Sequence, residues 1–304
     1  MRAAVYKSYG PPEVLRIQEV DKPTPKDDEV LVRIRAASVA AADWRMRKAD
    51  PFLARLFNGL WRPKKVNILG FELAGDVEAV GSRVARYKVG DAVFAFTGFG
   101  FGAHAEYRCL RESGKPTRDG LIAKKPPNLS YEEAAGLPCG ALTAHAFLRK
   151  AGLRSGERVL VYGASGSVGT AAVQLARQLG AEVGGVCSAA NIELVASLGA
   201  GRVFDYAKDD FAQVAGTFDV VFDAVGKISA AQRRSTLAQG GRFVSVKGSA
   251  KLLPGDLETV RELAEAGKLR CVLDRRYPLE EIVEAHRYVE AGHKKGNVVV
   301  LMNG

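Results

Sequence analysis

Short apolar segments separated by proline and glycine occupy the first third of the 304-residue chain. Apolar and polar side chains alternate within them, over residues 3–7, 14–20, 29–39, 72–80 and 91–96. A period of two places one face of an extended segment in a core and the other face in solvent. The pattern therefore predicts a twisted, all-β barrel for this part of the chain.

The pattern changes after Pro126-Pro127, where Ser130 and Glu133 have the spacing of a helix capping box. Strand-like and helix-like segments alternate from there to the end of the chain. The predicted strands cover residues 158–162, 182–187, 202–204, 218–223, 242–246, a segment near 272, and 297–302. The predicted helices cover residues 168–179, 191–198, a segment ending at 239, 257–266 and 279–290. This alternation predicts a parallel sheet wrapped by helices, a doubly wound α/β domain.

One turn carries the strongest chemical signal. The apolar strand at 158–162 runs directly into a glycine turn and then into an amphipathic helix, and the turn reads Ala164-Ser165-Gly166-Ser167-Val168-Gly169. Glycine lets the backbone approach a pyrophosphate, and the first turn of the helix offers free N–H groups and a positive dipole end. The order of strand, turn and helix predicts a dinucleotide site. The alternative is a strand-to-helix turn with a structural role only.

The end of the second strand, at 186–191, indicates which nicotinamide cofactor binds. An Asp or Glu there would hold the ribose hydroxyl of NADH and repel the extra phosphate of NADPH. This chain has neither, and Ser188 and Asn191 can donate hydrogen bonds to a phosphate. The segment favours NADPH and leaves NADH as the second choice, unless the two side chains only cap the following helix.

Composition and charge narrow the choice of partners. The 44 Lys and Arg against 34 Asp and Glu give a formal charge of +10, but the basic residues are dispersed in short pairs. Dispersed charge indicates a solvated surface that attracts an anionic cofactor, and it does not favour nucleic acid. The four cysteines lack CxxC spacing, which is typical of a reducing compartment. No signal peptide and no stretch of roughly 20 apolar residues is present, so we expect a cytoplasmic protein without a membrane partner.

Several further motifs occur along the chain: ASVAAADW at 37–44, GFELAGDVEAVG at 70–81, VGDAVF at 89–94, EEAAGLP at 132–138 and LTA at 142–144. Together with the glycine turn, they make the whole chain resemble the medium-chain dehydrogenase/reductase superfamily, in its zinc-free quinone oxidoreductase and enone reductase branch. The resemblance implies an α/β fold with a GroES-like β-barrel domain for the substrate at 1–125 and a Rossmann cofactor domain at 126–256. It also implies that residues 257–304 complete the cofactor domain and return to the catalytic domain, with the active cleft between the two.

The resemblance further implies that no metal ion takes part. Zinc-dependent members would have Cys at Ala40, a relay hydroxyl at Ala42 and His at Phe71, so that only Cys139 matches a ligand position. One thiolate cannot hold a zinc ion that needs three protein ligands. Without a Lewis acid, a simple carbonyl is hard to reduce. A quinone or a conjugated C=C bond needs less activation by the protein, because the nicotinamide supplies the hydride and the protein mainly positions the acceptor.

The resemblance assigns roles to individual residues. The residues expected at the pyrophosphate turn are Ala164, Ser165, Gly166, Ser167, Val168 and Gly169. Those expected at the 2′-phosphate are Ser188 and Tyr206, to which the hydrogen-bonding capacity noted above adds Asn191. Those at the nicotinamide half are Thr143, Val225, Gly226 and Val246, with Asn297 closing over the cofactor. The expected walls of the substrate pocket are Asp43, Trp44, Phe71 and Phe96, although such aromatic side chains also suit a barrel core. His104 and Tyr107 suit packing along a strand better than proton donation, so no catalytic residue is assigned.

The chain departs from the resemblance at three places. Related chains carry a hydrogen-bond donor at the position of Ala40 and a cation at the position of Ala190. The segment after Val246 is short and skips the strand that often pairs across a dimer axis, which weakens the case for a homodimer. The sequence thus predicts an NADPH-dependent, metal-free oxidoreductase that acts on a small electrophile, either a quinone or an α,β-unsaturated carbonyl. The alternatives are a zinc-independent alcohol or aldehyde reductase and a non-catalytic NADPH-binding protein with an RNA-binding or structural role.

Overall fold

The computed structural model describes residues 1–208 and 211–302. Its strands are β1 (Arg2–Tyr6), β2 (Leu15–Glu19), β3 (Glu29–Val39), β4 (Glu72–Val80), β5 (Ala92–Phe96), β6 (Tyr107–Arg111), β7 (Leu121–Lys124), β8 (Arg158–Tyr162), β9 (Glu182–Cys187), β10 (Arg202–Asp205), β11 (Phe218–Asp223), β12 (Leu237–Ser245), β13 (Leu273–Pro278) and β14 (Asn297–Leu301). Its helices are α1 (Ala41–Lys48), α2 (Ala54–Asn58), α3 (Pro116–Asp119), α4 (Tyr131–Gly136), α5 (Pro138–Ala151), α6 (Ser167–Gln178), α7 (Ile192–Ser197), α8 (Phe211–Val214), α9 (Ala230–Thr236), α10 (Asp256–Glu265) and α11 (Ile282–Glu290). Short 3-10 helices lie at Pro12–Val14, Gly98–Gly100, Ala189–Asn191 and Leu279–Glu281. No helix in this described part of the chain is long and apolar enough to cross a bilayer.

The chain forms two compact units. The first comprises Met1–Pro138, Leu253–Glu265 and the chain from Leu273 onward, and the second comprises Cys139–Leu252 and Ala266–Val272. These limits differ from the expected boundaries at 125 and 256, because α4 packs on β3 and β4 and α10 packs on β7. Most of the stretch 257–304 therefore lies in the first unit, and Ala266–Val272 lies in the second.

Strand β3 is the centre of the first unit. It pairs with β4 along one edge, and along the other edge with β6 over its first half and with β14 over its second half. The resulting seven-stranded sheet has the order β13-β14-β3-β4-β5-β7, with β6 off this path, and β1 and β2 form a separate pair. Val30, Val32 and Ile34 are buried, whereas Arg33 and Arg35 keep part of their surface in solvent. The alternation in sequence thus becomes the two faces of this strand.

The second unit is built on a five-stranded parallel sheet with the order β10-β9-β8-β11-β12. Val159, Leu160 and Val161 of β8 are fully buried on both faces, as expected of a central parallel strand. The chain begins in the middle of the sheet, moves to one edge and then to the other. This order creates a topological switch point between β8 and β11, and ligands bind at the carboxyl ends of strands at such a point.

Two buried histidines lie side by side in the first unit. The ring centroids of His104 and His286 are 5.5 Å apart in an edge-to-face arrangement. His104 Nε2 lies 2.8 Å from the backbone oxygen of Ser38, whereas neither ring nitrogen of His286 has a hydrogen-bond partner among the described residues. Burial lowers the pKa of His104 to about 4. Burial and the neighbouring charges of His104 and Arg47 lower the pKa of His286 well below its usual value. Both rings are therefore neutral in the folded protein at neutral pH.

We expect the free energy of unfolding to decrease as the pH falls below about 6.5, because an unfolded histidine takes up a proton there and these folded rings do not. The loss should continue as the pH falls toward the pKa of about 4 of His104. His286→Leu removes one proton-binding site from the unfolded state and should flatten this dependence. Thermal unfolding midpoints measured from about pH 7.5 to about pH 5 test this. His293→Leu, at an exposed position, is the matched control. Equal slopes for the wild type and His286→Leu would contradict the expectation.

Candidate functional site

The turn between β8 and α6 is held rigidly at the carboxyl end of the parallel sheet. The N–H groups of Gly163 and Ala164 both donate to the backbone oxygen of Val186, at 3.0 and 2.9 Å, which ties the turn to the end of β9. The N–H of Gly166 donates to the oxygen of Gly163 at 3.1 Å and closes the turn. The predicted turn residues Ala164, Ser165 and Gly166 thus form one fixed loop, and Ser167, Val168 and Gly169 form the first turn of α6.

Helix α6 packs directly against this turn at Gly169. A Cβ atom at Gly169 would overlap the carbonyl oxygen of Gly163 and lie 2.7 Å from the Cα of Ala164. At Gly166, a Cβ would meet only the Gly163 oxygen, at 3.6 Å. Helix α6 leaves the N–H groups of its first turn, at Ser167 and Val168 among others, without helical partners. The turn therefore presents N–H groups and the positive end of the helix dipole to an anion beside an open glycine.

The loop after β11 lies against the same turn. Asp223, which ends β11, is buried, and its carboxylate accepts hydrogen bonds from four N–H groups of residues 225–228, the shortest being 2.7 Å from Gly226. A Cβ at Gly163 would come within 2.6 Å of the Val225 side chain, so the two loops are in contact. Val225 keeps a large exposed surface. The predicted nicotinamide contacts Val225 and Gly226 therefore stand beside the pyrophosphate turn, held by Asp223.

Two other predicted contacts come from the neighbouring elements of the second unit. A Cβ at Gly140 in α5 would lie 2.8 Å from the backbone oxygen of Ser167, so α5 packs closely on the first turn of α6. Thr143 is half-buried one turn further along α5, on the same face as Gly140. Val246 follows β12, and its N–H donates to the oxygen of Asp223 at 3.1 Å. Both residues thus lie next to elements that form the crevice.

The end of β9 carries a set of small polar groups. The Asn191 amide donates to the hydroxyls of Ser188 and Ser165, at 3.0 and 3.3 Å, which links the predicted phosphate contacts to the turn. The Tyr206 N–H donates to the oxygen of Cys187 at 3.1 Å, and the Tyr206 ring is exposed. Ala190 is also exposed and brings no charge. This end of the strand can offer hydroxyl and amide donors to a phosphate.

The aromatic residues predicted for the substrate pocket form a cluster in the first unit. Phe71 stacks on Phe96 with ring centroids 5.7 Å apart, and it contacts Phe101 with centroids 4.0 Å apart. Phe71 and Phe101 are buried, and Phe96 is half-buried. The side chain at position 71 therefore packs against aromatic neighbours. Phe96 gives the cluster its accessible part.

Asp43 and Trp44, which were also predicted to line the pocket, differ in exposure. Asp43 is fully buried, and its carboxylate accepts hydrogen bonds from the N–H groups of Ala40 and Gly70, at 2.7 and 2.8 Å. Burial raises the pKa of Asp43 to about 7 against the effect of these bonds. The side chain thus joins the start of α1 to the residue before Phe71 and positions that residue. Trp44 is half-buried, and the Arg45 guanidinium lies 5.4 Å from its ring centroid.

The remaining residues considered in the sequence, Asn297, His104 and Tyr107, all lie in the first unit. Asn297 is buried at the start of β14 in the first unit, whereas the other predicted cofactor contacts lie in the second unit. His104 is buried against Ser38 and its neighbouring histidine. Tyr107 is half-buried, with the Lys22 ammonium 4.0 Å from its ring centroid.

The sequence analysis missed Asp223, although an acidic residue at a strand end, followed by Ala224, Val225 and Gly226, could have indicated a loop-capping carboxylate.

Comparisons with known proteins agree with this architecture. The family described as "Alcohol dehydrogenase GroES-like domain" matches residues 26–116, and two families described as "Zinc-binding dehydrogenase" match residues 167–270 and 247–300. The 2-methylene-furan-3-one reductase of Solanum lycopersicum is 34% identical over 99% of this chain and 79% of its own length. The NADPH-dependent alkenal/one oxidoreductase of Arabidopsis thaliana, named chloroplastic, is 32% identical over the same shares. The structure of the quinone oxidoreductase from Coxiella burnetii is 29% identical, with a TM-score of 0.88 over 100% of this chain and 99% of that one.

The two glycines of the turn should respond differently to the same substitution. Gly169→Ala should lower the free energy of unfolding by about 1–3 kcal/mol, because its Cβ has no room against the turn backbone. Gly166→Ala should leave stability almost unchanged and weaken NADPH binding by about tenfold or more, because its Cβ occupies the space next to the first-turn N–H groups. Thermal unfolding and calorimetric titration of both variants test this. Normal NADPH affinity in a folded Gly166→Ala protein would contradict the assignment of the turn.

Proposed function

Because the chain belongs to the medium-chain dehydrogenase/reductase superfamily, in its quinone oxidoreductase branch, we propose that it works with NADPH and without a metal ion. Its general activity follows from that membership: the protein is an NAD(P)H-dependent oxidoreductase that transfers hydride to quinones or to the C=C bond of α,β-unsaturated carbonyl compounds. The observation that carries the proposal is the crevice where the turn after β8 meets the loop after β11. The choice of cofactor and the roles of single residues are our proposal.

The carboxyl ends of the strands in the second unit would hold the cofactor. Gly166 and the N–H groups that begin α6 would hold its pyrophosphate, with these N–H groups donating hydrogen bonds to it. Val225 and Gly226 hold the nicotinamide half, together with Thr143 and Val246, and Asp223 fixes their loop through its four hydrogen bonds. When bound, the cofactor supplies the hydride. The chain orients the ring and keeps water from one of its faces.

NADPH is preferred over NADH because of the groups at the end of β9. Ser188, Ser165 and Asn191 offer hydrogen-bond donors, and no Asp or Glu occurs from 183 to 192 to repel a phosphate. Tyr206 adds an exposed phenol next to Cys187. A relative that is 32% identical is named for its dependence on NADPH, which supports the same choice. Because Ala190 contributes no cation, the preference rests on hydrogen bonds and on the lack of repulsion.

A metal ion does not suit the residues of this chain. Ala40 and Phe71, which stand where zinc-dependent relatives have ligands, carry no donor atoms. Among residues 1–208 and 211–302, no three His, Cys, Asp or Glu side chains come together to hold a metal ion. Phe71 instead packs into an aromatic cluster. We therefore derive no step through zinc, and the charge that develops on the acceptor is met by hydrogen bonds and solvent.

The substrate is a flat, conjugated electrophile. Phe96 and Trp44 are accessible aromatic side chains of the first unit, and rings of this kind bind flat apolar molecules through contact with their faces. Phe71 and Phe101 support Phe96 from behind. Asp43 acts as a positioning residue through Gly70.

We place the protein in the cytoplasm, because its four cysteines form no disulfide and suit a reducing compartment.

A parallel assay of acceptors tests the proposed reaction. The purified protein should oxidise NADPH with an α,β-unsaturated ketone and with a quinone, and react at least about tenfold more slowly with a saturated aldehyde of similar size, whose reduction requires stronger polarisation. Treatment with a chelator should leave the rates unchanged. Preference for the saturated aldehyde would indicate the alcohol or aldehyde reductase instead. Stoichiometric zinc that is needed for activity would contradict the metal-free mechanism, and RNA retention without NADPH oxidation would indicate a non-catalytic role.

The cofactor preference should shift with the charge at the end of β9. Ala190→Arg should lower the KM for NADPH about two- to fivefold and leave the KM for NADH unchanged, because it adds an exposed cation beside the phosphate. Ser188→Asp should raise the KM for NADPH by about tenfold or more, because a carboxylate there repels the phosphate. Ala196→Arg, with the same added charge in the last turn of α7, is the matched control. Equal effects of Ala190→Arg and Ala196→Arg would contradict the placement of the phosphate.

A further inference from the structure

An apolar surface stands exposed in the first unit. It comes from one segment, residues 51–62, which we call the apolar loop and which contains α2. Trp61 is 86% exposed and Leu56 is 69% exposed. The other large apolar side chains exposed here are Phe52, Leu53, Phe57 and Leu60, with Phe99 next to Phe57 at a centroid distance of 6.1 Å. Single exposed apolar side chains are common, but so many on one short segment mark an interaction surface.

The backbone of the apolar loop is firmly held, so the exposure is built into the fold. Asn58 is fully buried, and its amide donates to the Tyr6 hydroxyl and to the oxygen of Val66, both at 2.9 Å. Its side-chain oxygen accepts from the N–H groups of Lys65 and Val66, at 3.1 and 2.7 Å. The Tyr9 hydroxyl donates to the oxygen of Gly59 at 2.7 Å. Asn58 thus fills all of its hydrogen-bonding capacity in fixing the loop, while the neighbouring apolar side chains point away from the core.

Cations predominate around these apolar side chains along the sequence, and the nearest acidic residue, Asp50, is exposed directly before the loop. Arg55, Arg62, Lys64 and Lys65 lie in or beside the loop, and no Asp or Glu occurs from 51 to 71. The Arg55 guanidinium lies 4.9 Å from the Tyr9 ring centroid and 5.2 Å from that of Phe52. The Lys65 ammonium lies 5.3 Å from the ring centroid of Phe57. The apolar loop therefore combines aromatic and aliphatic side chains with four cations in or beside it.

Charge decides between the possible occupants of this surface. A second copy of the chain in a symmetric contact would place these cations against each other, which opposes association. Nucleic acid would pair with the cations but would leave the leucine side chains without apolar contacts. An anionic lipid surface can bind both the apolar side chains and the cations. Aromatic and leucine side chains bind at the boundary of headgroups and acyl chains, and Lys and Arg bind the headgroups.

We propose that the apolar loop binds the surface of an anionic phospholipid bilayer. Trp61 and Leu56 enter the interface, and Arg55, Arg62, Lys64 and Lys65 contact the lipid phosphates. Asn58 keeps the loop in the shape that presents them. The proposed contact is peripheral and reversible, so it does not require a bilayer-spanning helix, and the described residues contain none.

Sedimentation of the full chain with vesicles tests the proposal. The protein should bind vesicles that contain phosphatidylserine in phosphatidylcholine, and bind pure phosphatidylcholine vesicles at least about tenfold more weakly. Added salt should weaken the binding, because it screens the lipid phosphates. On binding, tryptophan emission should shift to shorter wavelength. Trp61→Phe should abolish the shift, because Trp44 is then the remaining tryptophan and it is half-buried.

Matched variants separate this loop from a general effect of charge. Leu56→Glu with Trp61→Glu should reduce vesicle binding by about tenfold or more, whereas Val89→Glu, at a similarly exposed apolar position of the first unit, should not. The double variant Lys64→Glu with Lys65→Glu should weaken vesicle binding by at least about fivefold for each lysine replaced. The control double variant Lys88→Glu with Lys115→Glu should have much less effect. Thermal unfolding midpoints should be measured for all variants as a check that each is folded.

Several outcomes would overturn the proposal. The first is no binding to either kind of vesicle. The second is equal loss of binding in Val89→Glu and in the loop variant. The third is a concentration-dependent dimer that Leu56→Glu with Trp61→Glu dissociates, since the apolar loop would then be a contact between copies of the chain. Retention of RNA that depends on Lys64 and Lys65, without vesicle binding, would equally exclude a lipid surface.

Discussion

The close contact of helix α6 with the turn after β8 is the constraint on which the rest of the cofactor site depends. Gly169 has no room for a side chain against Gly163 and Ala164, so the helix begins directly over the end of the central strand. Its unpaired N–H groups and its positive end then converge on one point beside Gly166. The same turn receives Val225 from the neighbouring loop, which Asp223 holds by four hydrogen bonds. One backbone contact thus sets the position of the first-turn N–H groups of α6 and of the groups that stand next to them.

In the first unit, Phe71 belongs to a packed aromatic cluster. Phe71 stacks on Phe96 and contacts Phe101, so the side chain at position 71 contributes an aromatic ring to this part of the molecule. Asp43 is buried between the start of α1 and Gly70, and burial raises its pKa. These features fit hydride transfer to a conjugated acceptor, in which orientation and apolar contact do most of the work.

Local signals made part of this structure predictable. Helix α6 was expected at 168–179 and is found at Ser167–Gln178, because a continuous apolar strand, closely spaced glycines and a helical period all specify it. The position of Ser188 and Asn191 could also be predicted, because these two residues directly follow the predicted strand at 182–187. Other features depend on tertiary contacts that no local pattern contains. These are the limits of the two units, the cap formed by Asp223, the pairing of His104 with His286, and the exposure of the loop around Trp61, whose apolar residues have no clear period.

The central claim is that the crevice at the ends of β8 and β11 seats a nicotinamide dinucleotide. Calorimetric titration of the purified, folded chain with NADPH and with NADH tests this most directly. The account predicts one NADPH bound per chain, with NADH bound more weakly. A folded chain that binds neither dinucleotide would contradict it.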